Sequence, residues 1–198
     1  MASVPKRIIQ TARLYLRPAS PADFDAAKTW AGDAETTYYM LCGCCSDEKI
    51  RTFLGMAEEE WSKPDRTEHE YVIALTPGGA AIGACDFCRI GADRGEMGWI
   101  LHPAYQHRGY VTEAARAMMR VGFEECGVSG IIAQCDTENA PSYRVMERLG
   151  MTRVSETAAV RPFHGILHDE YIYEITRDEY FHTDKCLPKH CGGIRKYS

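Results

Sequence analysis

The sequence predicts a mixed α/β (α+β) domain in which a central, mostly antiparallel mixed sheet of about seven strands is flanked by helices. Two observations predict this fold class. Segments with period-two alternation and segments with helical periodicity follow one another in the order β, α, α, three strands, α, β, α and two strands. In addition, 198 residues fit one medium domain, and the chain shows no internal repeat, low-complexity tract or convincing linker.

The first half begins with one strand and two helices. The segment "TARLYLRP" (residues 11–18) alternates leucines with charged and aromatic residues, as a half-buried strand does. Ser20 is a predicted N-cap ahead of Pro21, which takes the first helical position. A second helix is predicted from about Asp47 to Trp61, where apolar residues recur at helical spacing behind a cap.

Three strands follow these helices. "EYVIALT" (residues 70–76) and "AAIGACDFCRI" (residues 80–90) are separated by the turn signal "PGG", which predicts an antiparallel pair. "RGEMGWILH" (residues 94–102) is the third strand. The loops at residues 42–45 and 64–70 are candidates to border a substrate cleft.

A helix, a buried strand, a short helix and two closing strands make up the second half. The first helix has an apolar face from Val111 to Cys126, and Gly127 supplies a stop. "GIIAQCD" (residues 130–136) is the strand, and Asn139 caps the short helix that follows it. The closing strands are predicted in "MTRVSETAAVR" and "HDEYIYEIT", on either side of the loop "PFHGIL".

The chain is predicted to divide into one domain and a tail. Residues 1–180 carry all the periodic segments, so they form the domain. Residues 181–198 show no periodicity and are predicted to be a C-terminal extension, either loose or in contact with a second subunit.

Charge and hydropathy exclude several classes of function. Lys and Arg number 23 against 28 Asp and Glu, which gives a net charge of −5 and a pI of about 5.8. This balance lacks the basic footprint of a nucleic-acid-binding protein. No apolar run approaches the length of a membrane span, and "MASVPKRIIQTAR" lacks the apolar stretch of a secretory signal. We therefore expect a cytoplasmic protein with neither nucleic acid nor membrane as a partner.

Nine cysteines raise the question of a metal site. Cys85 and Cys88 form a C-x-x-C, but they lie in a predicted strand, where residues three apart point to opposite faces. Soft ligands are also clustered in a loop and in the tail: Cys42, Cys44, Cys45, Cys186, His190 and Cys191. Reduced thiols are the preferred interpretation for a cytosolic protein, and no metal is expected.

The turn between the strand "RGEMGWILH" and the next helix has the features of an anion site. Several backbone N–H groups at a helix start have no intrahelical acceptor. Gly109 allows close approach of a ligand or a positive φ, and His107 and Arg108 add positive potential. The spacing fits neither a P-loop nor a Rossmann fingerprint. A phosphate or pyrophosphate is the ligand that this turn favours.

Two further features accompany the turn. Asn139 and Ser142 open a helix that follows a strand, and Glu96 interrupts a largely apolar strand. With the motif "QHRGYV" (residues 106–111), these features make the chain resemble the GCN5-related N-acetyltransferase (GNAT) superfamily, and most closely its RimJ/RimL-like branch. The family motif has Gly or Ala at its last position, where this chain has Val111. The resemblance covers roughly residues 10–179.

The resemblance implies that acetyl-CoA lies between two central strands. Its pyrophosphate would bind the amides of the turn, and its pantetheine would pair with the end of the preceding strand. Asn139 would bond the pantetheine amide region, although simple N-capping is an alternative role. The cofactor-binding residues implied are Ile100, Leu101, His102, His107, Arg108, Gly109, Val111, Thr112, Asn139 and Ser142.

Two catalytic residues are implied as well. Glu96 is the candidate base, acting through water, and its alternative is a strand carboxylate that is exposed or paired with an arginine. Many relatives use a tyrosine as acid at the position of Met146, which cannot donate a proton. Ser142 is the candidate acid in its place, with Tyr143 a weaker one, and helix capping is the alternative role of Ser142.

Three histidines are left without a secure role. His102 is a further candidate base, or an exposed side chain beside a proline at a strand end. His164 and His168 fall in the final hairpin, which helps to form the acceptor cleft in relatives.

The implied function is an acetyl-CoA-dependent N-acetyltransferase, an acyltransferase of EC 2.3.1 type, in which a primary amine attacks the thioester directly. The acceptor is a small-molecule amine or a protein N-terminal amine, and the resemblance also suggests a homodimer. One alternative is a non-catalytic acyl-CoA-binding or sensor module of the same fold. Another is an interaction protein stabilised by metal through the cysteines.

Overall fold

The computed structural model describes residues 7–40, 43–163 and 166–184. They form a sheet of eight strands in the order β1-β2-β3-β4-β5-β6-β8-β7, flanked by helices, which confirms the predicted fold class. The strand beyond the predicted seven is the short β1. The strands are β1 Ile9–Gln10, β2 Tyr15–Pro18, β3 Glu68–Ala74, β4 Gly83–Ile90, β5 Arg94–Leu101, β6 Gly130–Asp136, β7 Thr152–Phe163 and β8 Ile166–Thr176.

Five α-helices accompany the strands in the described part of the chain. Ser20 precedes a 3₁₀ turn, Pro21–Asp23, that leads into the first helix. The Ser46 hydroxyl caps the second helix by accepting from the Lys49 N–H at 3.3 Å. The helices are α1 Phe24–Ala31, α2 Asp47–Ser62, α3 Tyr110–Arg120, α4 Ala140–Arg148 and α5 Arg177–Asp184.

The two faces of the sheet are covered by different helices. On one face, Trp30 of α1 and Leu54 of α2 pack against Val72 of β3. On the other face, Met118 of α3 joins a larger core with Phe87 of β4 and its neighbours. Alternation along each strand therefore assigns every second residue to the α1/α2 face and the others to the α3/α4 face.

Strands β5 and β6 separate to form a V. They are parallel, and their register covers only Arg94–Glu96 against Gly130–Ile132. Beyond this point β5 follows β4 as far as Leu101, and β6 follows β8 as far as Asp136. The sheet is otherwise antiparallel, so this opening lies at its one parallel junction.

The helix predicted as far as Cys126 changes character at its end. It is α-helical to Arg120 and continues as a π-helical turn, Val121–Cys126. Gly122 packs there against Phe87 and Ile131, and a Cβ at this position would come within 2.6 Å of the Phe87 ring. Close packing against the sheet accompanies the wider turn, which Gly127 ends at φ +70°.

The C-terminal boundary differs from its sequence expectation in one respect. Helix α5 spans residues 177–184, so the boundary predicted at residue 180 falls inside it. Tyr180 is buried and stacks on Phe123, with ring centroids 4.8 Å apart. The last strand is therefore followed by a packed helix. No helix in the described ranges is both long and apolar enough to cross a membrane.

Candidate active site

A large open cleft follows the V between β5 and β6. Its volume is about 2400 Å³. The end of β5, the turn before α3 and the starts of α3 and α4 line one part of it. The loop after α1, residues 35–40, contributes Glu35, Tyr38 and Tyr39 to another part.

The turn before α3 has an unusual backbone conformation. His107 has φ +60° and Gly109 has φ +76°, so two residues of one short turn occupy the left-handed region. Helix α3 begins directly afterwards, with the Glu113 N–H donating to the Gly109 carbonyl at 3.1 Å. Left-handed residues next to a helix start direct successive N–H groups towards one point, an arrangement that binds anions.

Glu113 holds this turn in place through hydrogen bonds. Its carboxylate accepts from the Thr11 hydroxyl at 2.5 Å, the Arg13 amide at 2.8 Å and the Arg13 guanidinium at 2.7 Å. The same guanidinium donates to the Arg108 carbonyl at 2.9 Å. Burial opposes ionisation of Glu113, but the hydrogen bonds from Thr11 and Arg13 outweigh it and lower the pKa of the carboxyl. These hydrogen bonds of Glu113, Thr11 and Arg13 form a clamp. The clamp connects the segment before β2 to the turn before α3, which we call the anion turn.

The end of β5 forms one wall of the cleft. Ile100 and Leu101 line it, and the Leu101 carbonyl accepts from the Gln106 side chain at 3.2 Å. The backbone N–H of His102 donates to the Ile82 carbonyl at 2.8 Å. The ring Nδ1 of His102 accepts from the Ala104 N–H at 3.1 Å. The His102 ring is thus engaged in a local turn at this strand end.

The start of α4 brings Asn139 and Ser142 to the cleft. Asn139 Oδ1 accepts from the Ser142 N–H at 3.2 Å, so the amide caps the helix as predicted. The Asn139 side-chain nitrogen and the Ser142 hydroxyl keep the capacity to donate to a ligand. Met146 is buried in the core, with 1% of its surface exposed. The position at which the resemblance implies a tyrosine acid is therefore occupied by a core side chain.

Glu96 lies at the closed end of the V. It occupies the last position of β5 that pairs with β6, whereas the cleft is lined from Trp99 onwards on this strand. Gln134 Nε2 donates to Glu96 Oε1 at 2.6 Å, so the described partner is an amide and not an arginine. Together with burial, the charge of Glu96 helps to raise the pKa of Asp86 to about 6.

Several residues that line the cleft were missed from the sequence. Arg144 and Arg148 of α4 face Arg116 of α3, whose guanidinium donates to the Arg148 carbonyl at 3.2 Å. Their spacing of four residues places Arg144 and Arg148 on one helical face, which is the only sequence signal they carry. At the other end of the cleft, Tyr38 and Tyr39 meet edge to face at 4.9 Å.

A histidine and two acids meet at the open end of β6. Asp136 is 1% exposed, and its Oδ2 lies 2.8 Å from His168 Nδ1. Its Oδ1 accepts from the Glu138 N–H at 2.8 Å. The donor atoms of Asp136, Glu138 and His168 all lie within 4.8 Å of one another. Sequence reasoning named His168 without a role and missed Asp136, because the pairing of β6 with β8 is a tertiary feature.

The described cysteines are free thiols. Burial raises the pKa of the Cys85 thiol and, with nearby carboxylates, that of Cys88 to about 11. Both thiols are therefore protonated near neutral pH and are poor metal ligands. Four candidate metal ligands and one hairpin histidine lie outside the described residues: Cys42, Cys186, His190, Cys191 and His164.

Known proteins are similar to this chain in sequence. A family model described as "Acetyltransferase (GNAT) domain" matches residues 13–152. The chain is 33% identical to an uncharacterized N-acetyltransferase, YnaD, of Bacillus subtilis (strain 168) over 173 residues, which cover 87% of this chain and 98% of that protein.

Solved structures give the same result. A GNAT-family acetyltransferase from Bacillus anthracis superposes with a TM-score of 0.76 at 29% identity, over 87% of this chain and 99% of that one. A spermidine N-acetyltransferase from Vibrio cholerae, solved with CoA and spermine, superposes with a TM-score of 0.74 at 16% identity. That match covers 86% of this chain and 99% of the other, and at this identity it supports the fold alone.

Proposed function

This chain belongs to the GNAT acetyltransferase family, and from that premise we propose that it transfers the acetyl group of acetyl-CoA to a primary amine by direct attack on the thioester. The observation that carries the proposal is the turn before α3. Two left-handed residues, His107 and Gly109, precede a helix start that opens on a cleft large enough for a nucleotide and its pantetheine arm.

The cofactor end of the cleft supports acetyl-CoA in three ways. The amides of residues 107–112 suit the diphosphate, because helix starts and left-handed turns favour anions. The Ile100–His102 segment has left β6 and is available to pair with pantetheine. The arginines on the facing sides of α3 and α4 suit the further phosphate of coenzyme A.

The reaction needs a neutral nitrogen, stabilisation of an oxyanion and a proton for the thiolate. We propose Ser142 as the donor to the thiolate, since its hydroxyl lies at the cleft and its own N–H is already satisfied by Asn139. The backbone N–H near Leu101 is proposed for the oxyanion. A general base is also needed, and Glu96 acting through water, with Gln134 fixing its carboxylate, is one candidate for it.

The acceptor end favours a cationic amine. Glu35, Tyr38 and Tyr39 line it, and carboxylates with aromatic faces attract ammonium groups. A small amine and a protein N-terminus both fit this chemistry. The same proposal includes the RimJ/RimL-like branch, a cytoplasmic homodimer, and a domain over residues 1–180 with an extension over 181–198.

The test separates binding from chemistry. Acetyl-CoA should protect the folded protein against thermal unfolding, and CoA release should be detected with at least one member of a panel of polyamines, amino acids, aminoglycosides and N-terminal peptides. Mass spectrometry should then find one added acetyl group on the acceptor. Ser142→Ala should reduce kcat about tenfold without changing acetyl-CoA affinity.

Two results would count against the proposal. Failure of acetyl-CoA to protect the protein would remove the cofactor assignment. Protection without CoA release for every amine tested would favour the non-catalytic sensor over the enzyme.

A further inference from the structure

The pair formed by His168 and Asp136 lies on the same sheet face as Glu96. Glu96 pairs with Ile132 of β6, so Ile132, Gln134 and Asp136 share its face by strand alternation. Asp136 pairs with Glu170 of β8, and His168 is two residues away on the same face of that strand. The pair is therefore at the open end of the V, whereas Glu96 is at its closed end.

Asp136 is held in one orientation. Its Oδ1 accepts from the Glu138 N–H, and its own carbonyl accepts from the Asn139 N–H at 3.0 Å. The carboxylate is almost completely buried, and the His168 side chain is 15% exposed. A fixed, buried carboxylate beside Nδ1 orients an imidazole and favours one tautomer.

The pair adjoins the cleft but is not itself among the residues that line it. Asn139, which is bonded to Asp136, lines the cleft at the start of α4. Tyr39 lines it from the loop after α1, and burial together with the Glu138, Tyr38 and Asp136 charges raises the pKa of Tyr39. Among the described side chains, the titratable groups near the pair include Glu138 of the following loop, Glu170 of β8 and Tyr39. Arg161 of β7 is opposite His168 in the β7–β8 register.

From this geometry we propose that His168, oriented by Asp136, is the catalytic base that takes a proton from the acceptor ammonium. The inference rests on the proposed function and assigns the base to a residue other than Glu96. Glu96 is restrained by Gln134 where the strands still pair, so its part is to position β5 and β6 at the vertex of the V.

The proton balance is as follows. Nε2 of His168 accepts one proton from the ammonium, which gives a neutral amine and an imidazolium. The amine nitrogen bonds to the thioester carbonyl carbon, and the carbon–sulfur bond then breaks with its electron pair on sulfur. The nitrogen loses a second proton during this collapse. One of the two protons ends on the thiolate, and the other reaches solvent.

The experiment compares His168→Gln, Asp136→Asn and Glu96→Gln with the wild type, using the acceptor identified from the panel. His168→Gln should lower kcat/KM about 10²–10³-fold near pH 7, while thermal protection by acetyl-CoA is unchanged. The loss should shrink as pH rises, because solvent then deprotonates the amine. Asp136→Asn should shift the acidic limb of the pH profile and cost less than His168→Gln.

Controls separate this inference from folding and from the proposed function. His182→Gln, at an exposed position of α5, is the matched histidine substitution and should change neither the rate nor the pH profile. The inference is overturned if Glu96→Gln, and not His168→Gln, removes the acidic limb. It is also overturned if the purified protein holds a stoichiometric divalent metal that His168→Gln releases. Absence of CoA release by the wild type would instead contradict the proposed function itself.

Discussion

The two ends of the cleft are built from different parts of the chain. At the proposed cofactor end, the cleft presents main-chain groups of one short turn, which Glu113 and Arg13 hold in place. At the proposed acceptor end, the lining side chains Glu35, Tyr38 and Tyr39 come from the loop after α1. The proposed cofactor end therefore presents backbone groups, whereas the proposed acceptor end presents side chains.

This difference explains where the sequence tolerates change. Backbone amides do not depend on side-chain identity, so Val111 can stand where relatives have Gly or Ala if the turn keeps its conformation. At the acceptor end a single substitution changes the charge or shape that a substrate meets. Cofactor binding should therefore be sensitive to backbone strain, and acceptor chemistry to single side chains.

The largest effect on acetyl-CoA affinity is expected from straining the anion turn. Gly109→Val forces a β-branched residue to φ +76°, which costs roughly 1–2 kcal/mol, and acetyl-CoA should bind about tenfold more weakly. Isothermal titration calorimetry measures the affinity. Gly127→Val is the matched control, because Gly127 has φ +70°, and a Cβ there would meet nothing within 4 Å.

Both substitutions should lower Tm, and only Gly109→Val should weaken acetyl-CoA. Equal affinity for the wild type and Gly109→Val would break the contrast between the two ends. Acceptor KM should be little changed in either variant at saturating acetyl-CoA.

A smaller effect on acetyl-CoA affinity is expected from breaking the clamp of Glu113 with Thr11 and Arg13. Glu113→Gln removes the charge that Arg13 and Thr11 contact, and acetyl-CoA affinity should fall about three- to fivefold, since half-exposed pairs contribute about 1 kcal/mol or less. Because folding lowers the pKa of Glu113, its stabilisation is present above the unfolded pKa and is lost as pH falls through the folded pKa.

A double-mutant cycle with Arg13→Ala measures whether the two residues act together. Arg153→Ala, in the exposed pair with Glu156, is the control and should leave acetyl-CoA affinity unchanged. Additive effects of Glu113→Gln and Arg13→Ala would argue that the clamp does not position the turn.

A third effect, on stability, concerns two acids on the α1/α2 face of β3 and β4. Glu70 and Asp86 are paired across β3 and β4. Burial and the Asp86 and Glu68 charges raise the pKa of Glu70 well above its ordinary value. Burial, together with the charges of Glu96 and Glu68, raises the pKa of Asp86 from 3.8 to about 6.

A carboxyl with a raised folded pKa binds more protons in the folded state, so the free energy of unfolding falls as pH rises from its unfolded pKa to its folded pKa. Glu70→Gln should therefore reduce the loss of stability between pH 5 and pH 8, by on the order of 1 kcal/mol. Urea unfolding at both values measures it. Glu58→Gln on exposed α2 should reproduce the wild-type difference; an equally steep loss in Glu70→Gln would contradict the assignment.

Most elements were predictable because their signals are local. Ser46, Gly127 and Asn139 mark helix ends at the positions where the structure places them. The π-helical turn at residues 121–126 was not predictable from local sequence. It accompanies the packing of Gly122 against Phe87 and Ile131, which are contributed by distant strands. Helix α5 was missed as well, since its short amphipathic signal is weak and Tyr180 is buried by distant Phe123.

The sequence by itself determined the order of elements, the mixed sheet and the turn that favours an anion, because each depends on neighbours within a few residues. Only the tertiary structure decided which side chains meet at the two ends of the V. Asp136 and His168 are brought within 2.8 Å by the register of β6 with β8, and Glu96 is placed at the closed end of the V by the last pairing of β5 with β6. Such contacts depend on strand pairing between distant segments, which local periodicity does not encode.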